Sequence, residues 1–455
     1  MEGFIFNVID FIEGLFIPKK WHHPIDFVVF WSALIAGFVV LYIFGPTLLA
    51  QPFVQNAIWF LAVTMPLWLP LLLARVFFIY YIRYIRADWI KKEKSVLLEI
   101  KIPKETNKSP LAMEIFFTAL YQTGSATLVE AFWKGKVRPW FSFELVSQGG
   151  EVHLFIWALR KWRNLIEAQL YAQYPTIEIH EVADYTDSVR HDPVNLPLWA
   201  TYFVKDKSYY PLKTYVDYGL DKLDIKEEFK IDPMTSVLEY LGSMRKGEQV
   251  WIQIIIQAHR AEKLIDARFF GLKSSWTKKI DKEIEDIRES SVPIKKDKEG
   301  NEIAGFPHPT PGQVDTMKAL QRSRDKLPYD ATIRGFYIST KEAFNPIGIT
   351  GLIGSFRQYN SMNSASFKLG WYTDPDLPWR DYKRKRRNHM EKEMLEAYKL
   401  RSFFQYPFKN FESNSYILTT EELATIFHLP GGVSQTPTLE RITSKKAEPP
   451  PNLPK

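Results

Sequence analysis

The chain of 455 residues contains no cysteine. Disulfides are therefore excluded, and so are zinc, haem and iron–sulfur sites that need thiolate ligands. Such a chain fits any reducing compartment. Charge is missing altogether from Phe27 to Ala74, a run of 48 residues. Soluble cores rarely go that far without a charge, and about 20 apolar residues suffice to cross a bilayer as a helix. Several enzyme signatures are also absent. There is no G-x-x-x-x-G-K-[ST] phosphate loop and no G-x-S-x-G nucleophile elbow. The segment from His180 to Asp184 lacks the second histidine of H-E-x-x-H, and the nine histidines show no ligand spacing. The acidic stretch 181–192 reads as a solvated loop. With 59 basic and 52 acidic residues, the net charge of +7 does not demand a nucleic-acid partner. No catalytic residue, cofactor or metal is expected, and the chain reads as a non-enzyme.

The charge-free run divides into two spans. The first is Phe27 to Phe44, and the second lies within Ala57 to Ile82. Gly45, Pro46 and Pro52 mark the turn between them, and Pro66 and Pro70 should kink the second helix. The first span starts too late and runs too long for a cleavable signal peptide. Lys19 and Lys20 precede the hairpin; Arg75, Arg83, Arg86, Lys91 and Lys92 follow it, and the turn carries no charge. The positive-inside rule puts both flanks, and everything after about residue 90, in the cytoplasm. Residues 1–25 place Phe4, Ile5, Val8, Phe11, Ile12, Leu15 and Phe16 at helical spacing. They read as an amphipathic helix in the membrane interface, ahead of a hairpin and basic flank over 26–94.

Beyond the flank, β-branched alternation predicts a strand at 95–103. A helix follows, with Ser109 as cap and Pro110 at its first position. Two strands then meet at Gln148-Gly149-Gly150-Glu151, a hairpin turn. A helix over 161–175 and a strand over 176–182 complete the order β-α-β-β-α-β. The order recurs: a strand within 198–216, a helix at 231–244, strands at 247–260 and 329–341, and a helix at 344–360. Pro233 stands where Pro110 stood, and Trp251 where Trp140 stood. The expected fold class is α+β: a two-helix transmembrane hairpin followed by a duplicated ferredoxin-like (β-α-β-β-α-β) cytoplasmic domain. One unit covers 95–190. The second covers 191–415 and carries a helical insertion at about 261–328, read as an arm or a solvated excursion. A capping helix and proline-rich tail fill 416–455. Gly348, Gly351 and Gly354 suggest close helix packing.

The densest charge is the run Arg380, Lys383, Arg384, Lys385, Arg386 and Arg387. It suits a solvated helix start or an acidic protein partner first, and anionic lipid or nucleic-acid phosphate second.

The segment "SYILTTEELATIFHLPG", followed by "TPTLERITSKKAEPPPNLP", resembles the lead-in of a family of bacterial membrane proteins related to type IV secretion and conjugation ATPases of the HerA-FtsK group. Residues 97–105, 134–157 and 166–186 are similar to that family as well. The resemblance implies an N-terminal membrane hairpin and an α+β domain placed ahead of a hexameric motor. This sequence stops before the motor would begin, so no motor residue carries over. The implied protein is a non-enzymatic inner-membrane component that docks or organises a separately encoded hexameric ATPase, with a homo-oligomer favoured by the ring of its partner. The alternative is a membrane-tethered nucleic-acid-binding protein that uses the 380–387 run and sheet aromatics. The helix from Thr419 should cap the domain, with Glu422 closing a capping box.

Overall fold

The computed structural model describes residues 32, 37, 51–103, 108–124, 127–222, 231–259, 276–292, 294–296, 302–304, 306–374, 381, 384–430 and 441–442. The expected interfacial helix (1–25), Lys19 and Lys20 lie outside the described residues. So does the first expected span, apart from helical Ser32 and Gly37, and so does most of the proline-rich tail.

Among the described residues, one helix is long and apolar enough to cross a membrane. This is α1 (Pro52–Lys92), and no residue of its apolar window is buried. One of its features corrects the sequence reading. Residues 52–56, assigned to the turn, are its first turns, since proline is tolerated where the N–H groups have no partner anyway. Arg75, Arg83, Arg86, Lys91 and Lys92 of the basic flank all lie on this helix. Pro66 and Pro70 are inside it.

The chain forms two compact units. The described part of the first is α1 through Asp88, together with Phe132–Gly135. The second is an α+β unit built on one sheet.

In the second unit, β1 (Ser95–Pro103), α2 (Leu111–Leu120), β2 (Phe141–Gln148), β3 (Glu151–Leu159), α3 (Arg163–Gln173) and β4 (Glu178–Val182) follow one another. The turn between β2 and β3 is the expected two-residue one. Gly149 and Gly150 have φ of +64° and +98°, as a type I′ turn requires. Helix α2 starts one residue later than expected: Pro110 takes the cap position, and the Ser109 hydroxyl donates to the Leu220 carbonyl while accepting the Leu111 N–H at 3.4 Å. The strands pair antiparallel in the order β4-β1-β3-β2.

The second half repeats this. It comprises β5 (Leu198–Lys205), α4 (Pro233–Gly242), β6 (Glu248–Ala258), β9 (Pro328–Ser339), α7 (Pro346–Gly354) and β10 (Phe367–Tyr372). Between β6 and β9 lie α5 (Trp276–Ser290), the small hairpin β7 (Ile294–Lys296) and β8 (Glu302–Ala304), and α6 (Pro311–Arg324). The order across the sheet is β10-β5-β9-β6, again antiparallel. The halves are not separate bodies. Strand β2 pairs antiparallel with β6 over Phe141↔Ile256 to Gln148↔Gln249, so one sheet runs through both. Three elements complete the unit: α8 (Lys385–Lys399), β11 (Tyr416–Thr419) paired antiparallel with β9, and α9 (Thr420–Ile426). The two-residue β12 (Arg441–Ile442) pairs parallel with the end of β1.

Strand side chains alternate between faces. One face carries Leu98, Phe143, Ile156, Ile254 and Ile333, and packs against α2, α3, α4, α7 and α9. The other carries Trp157, Trp251, Ile255 and Phe336, and packs against Met394, Leu395 and Tyr398 of α8 and Phe403. The charge-dense segment after residue 384 thus supplies a second cover for the sheet.

The insertion also departs from expectation. Trp276, Ile280 and Ile284 of α5 and Leu320 of α6 are buried together with Tyr209, Tyr210 and Ile417 packed against them. The Tyr210 hydroxyl donates to Glu283 at 2.8 Å. These helices are docked on the unit and do not project. The segment between them includes the β7–β8 hairpin.

Gly348 and Gly351 are the close-packing glycines. A Cβ on either would come within 2.5 Å of the Tyr337 or Tyr240 ring, respectively, whereas one on Gly354 would meet nothing within 4 Å.

Candidate functional site

The basic run occupies the start of α8. Arg380 and Lys383 lie outside the described residues. Asp381 caps the helix: its Oδ1 accepts the N–H groups of Arg386 at 2.9 Å and Arg387 at 3.3 Å. Arg384 turns the chain into the helix with φ +57°, a left-handed conformation uncommon away from glycine. The run then divides. Arg384, Lys385 and Arg386 are exposed. Arg387 turns inward, to Asp374 at 3.0 Å and Glu391 at 3.3 Å. Glu391 is buried and also faces His191 at 3.3 Å. Burial pushes its carboxyl above the usual range, and His191 and Arg387 hold it partly back. Arg384 and Arg387 form one wall of an open cleft of about 470 Å³; Trp199, Phe344 and Ile349 line another side. Three cations are thus available to an acidic partner or to phosphate, and the fourth holds the helix to the domain.

The strongest polar constellation lies inside the sheet, and the sequence reading missed it. Glu144 of β2, Gln253 of β6, Arg334 of β9 and Tyr202 of β5 stand in one register row. None has exposed surface. Arg401, just past α8, reaches Glu144 at 2.9 Å and 3.1 Å and also pairs with Asp184. Burial alone would lower the Arg401 pKa; the Glu144 and Asp184 charges outweigh it and raise it well above the ordinary value. The Asp184 pKa is depressed in turn: burial works against ionisation, and Arg401 overcomes it. Glu144 also accepts from the Tyr185 hydroxyl at 2.8 Å and Gln253 at 3.1 Å. Arg334 donates to Gln253 and to the Ala397 and Ser402 carbonyls. Asp184 and Tyr185 belong to the stretch read as a solvated acidic loop. They are instead built into this network, and Glu181 pairs with Arg160 and Arg163. A signal existed. Glu144 in "FSFELVS" and Arg334 in "ATIRGFY" are charges within apolar strands, and a buried charge needs a partner. Glu144, Gln253, Arg334 and Arg401 are closed to solvent and bonded into one network, with Asp184 half-buried at its edge, so the network locks α8 and the loop after it onto the sheet.

A third cluster surrounds α9. The capping box is present: Thr419 and Glu422 bond each other's backbone N–H. Yet α9 is no outer cap, because every residue from Tyr416 to Pro430 except Ile417 is buried. Glu422 also accepts from Lys205 at 2.8 Å and the Leu212 N–H at 2.8 Å. Glu421 meets Thr214 at 2.6 Å and Arg322 at 3.0 Å; burial raises its pKa against those partners. His428 faces two acceptors, the Ala424 carbonyl at 2.9 Å and Asp232 at 3.1 Å. Burial alone would lower its pKa, but the Asp232 charge and these bonds outweigh burial and raise it. Acceptors at both ring nitrogens favour the imidazolium form of His428. Among the described residues, no three His, Asp or Glu side chains are grouped to hold a metal ion.

Fold and site together define an α+β protein with one long exposed apolar helix, a closed polar core and an exposed basic helix start. Residues 85–441 match the family described as "Domain of unknown function (DUF8128)", and the chain belongs to it. No curated protein matches the chain.

Proposed function

We propose that this protein is a non-enzymatic membrane anchor and scaffold, held in a bacterial inner membrane, whose α+β unit docks a separately encoded hexameric ATPase on the cytoplasmic side. The observation that carries the anchoring is α1. Its 41 residues rise about 60 Å, twice the hydrocarbon thickness, with the apolar window exposed and basic residues beyond it. Arg75, Arg83, Arg86, Lys91 and Lys92 favour the cytoplasmic side for the residues after α1. A second crossing at 27–44 is part of the same reading. The polar clusters support a scaffold, since the Glu144–Arg401 and Lys205–Glu422 pairs lie in the interior and tie distant elements together. The ATPase partner rests on the resemblance around 416–430, and a homo-oligomer is proposed on the same ground.

The reading includes a tandem duplication of a ferredoxin-like unit. Strand order supports it, because each half has the pairing of the split β-α-β-β-α-β arrangement and the two meet at equivalent strands. Register supports it too. The offset that aligns Trp140 with Trp251 aligns Phe143 with Ile254, and these two face each other across the seam. A two-fold axis there requires such a self-equivalent pair.

Nucleic-acid binding is the second reading, favoured by exposed Arg384, Lys385 and Arg386. The sheet aromatics it would recruit are covered, since Trp157 and Trp251 are buried under α8 and its following loop. The test is purification of the full-length chain from membranes in mild detergent. A co-purifying ATPase is expected; repeated recovery without one removes the docking role. Recovery of the chain in the soluble fraction removes the anchor. DNA retention that falls steeply with salt would favour the second reading.

A further inference from the structure

The first unit contains a short return of the chain, Phe132–Gly135, held against α1 at two points. The Phe132 ring packs on Phe78 with centroids 5.6 Å apart. Gly135 has φ +68°, and a Cβ built there would lie 2.3 Å from the Ile85 carbonyl oxygen. Only glycine permits that backbone conformation together with so close an approach. The return therefore lies along Phe78–Ile85, about 10 Å of helix axis. This stretch follows Arg75, the first charge after the apolar run, and includes Tyr80, Tyr81, Arg83 and Tyr84. Tyr80 and Tyr84 are exposed. Tyrosines and arginines just past an apolar span are the composition of a membrane–water boundary. Between the two fixed points, at that level, stands Trp133, 73% exposed. Phe132 and Gly135 do the packing, and Trp133 is left pointing away from it.

We propose that Trp133 is a second membrane contact, its indole seated in the headgroup layer on the side where α1 leaves the bilayer. A lipid surface fits better than a protein partner because the residue continues the exposed aromatic belt of α1. An indole combines a large apolar body with a single N–H donor, which suits a layer that is apolar on one side and wet on the other. The inference rests on α1 crossing the bilayer.

The cysteine-free chain allows single labels. The full-length protein is reconstituted into vesicles of zwitterionic and anionic phospholipid with one cysteine at a time: Lys134→Cys beside an intact Trp133, Leu67→Cys in α1, or Met362→Cys at a fully exposed site of the α+β unit. Each carries an environment-sensitive fluorophore, challenged with aqueous iodide or with lipids spin-labelled near the headgroup or deep in the chain. The label at 134 should be quenched by the shallow lipid label and severalfold less by iodide than the label at 362. Adding Trp133→Ser should return it to water. A label at 134 as iodide-accessible as that at 362, with Leu67→Cys still quenched by lipid, overturns the proposal and leaves α1 as a span. If the label at 67 is itself in water, the span fails and this contact fails with it.

Discussion

Glu422 is a sharp test of whether the segment around α9 belongs to the core. Its two oxygens serve four donors. One takes the Lys205 ammonium and the Leu212 N–H, both at 2.8 Å; the other takes the Thr419 N–H at 2.8 Å and its hydroxyl at 3.0 Å. Glu422→Gln keeps the shape but replaces one acceptor by an NH₂ donor. Either amide orientation then points that donor at donors. In one case Leu212 loses its acceptor and Lys205 keeps only the Ile417 carbonyl at 3.1 Å, and in the other the capping box opens. The Lys205 and Glu422 side chains are only 2% and 1% exposed, so water cannot substitute. Removing one member of a buried ion pair costs about 3–5 kcal/mol. That is a large part of the roughly 5–15 kcal/mol that holds a domain together. The assay is urea unfolding of the full-length chain in detergent, followed by tryptophan fluorescence, for Glu422→Gln, Lys205→Met and the double variant. The double variant should be less destabilised than the sum of the singles by at least about 1 kcal/mol, since the residues touch. A Glu422→Gln protein within about 0.5 kcal/mol of the parent, or a strictly additive cycle, would refute the reasoning.

Three further outcomes are expected from the same structure. Gly351→Ala drives a methyl into the Tyr240 ring, whose hydroxyl donates to the Gly348 carbonyl, and should cost about 1–3 kcal/mol. Gly354→Ala, facing open space on the same helix, should be neutral or stabilising by up to about 1 kcal/mol, and equal unfolding midpoints for the two would be wrong for this packing. The raised His428 pKa gives stability that is complete below its unfolded value of about 6.5 and is lost as pH rises through its folded value. The depressed Asp232 pKa limits the pair at the acid end. The stability difference between parent and His428→Gln should therefore shrink as pH is raised above neutrality, and a difference that grows would contradict the imidazolium. In the basic run, Arg387→Gln removes the guanidinium from buried Glu391, leaving His191 beside it, and should lower the unfolding midpoint. Lys385→Gln with Arg386→Gln should leave the midpoint unchanged and weaken only binding to acidic partners, which a co-sedimentation assay on anionic vesicles would read.

Local chemistry made much of this architecture legible. Alternation marks β1, Gln148-Gly149-Gly150-Glu151 marks a tight turn, and the order of elements in each half comes from changes of period. The junction of the halves was not legible. Strands β2 and β6 are buried on both faces, with burial continuous along almost all their residues, so their sequences do not say whose edge they meet. A helix start was legible at α8, but its buried side was hidden by its own charge. Its inward side is Met394, Leu395, Ala397 and Tyr398 with Glu391 among them, too narrow a stripe to stand out from "KRRNHMEKEM". The partner of Glu144 lies 257 residues away, beyond the reach of any spacing rule. At the Thr419–Glu422 cap the reverse holds: the pattern is local, and the sequence was enough to place the box, though not to reveal that the box is buried.

The burial of β11 and α9 also has a bearing on biogenesis. Lys205, Thr214, Tyr215 and Asp232 all lie on segments synthesised long before residues 416–430, yet each bonds a residue of that segment. Until it leaves the ribosome, these polar groups lack their counterparts and the helical face of the sheet lacks one of its covers. A nascent chain therefore presents α1 while the α+β unit is still open, and closure of the unit waits for a segment more than 300 residues downstream of α1.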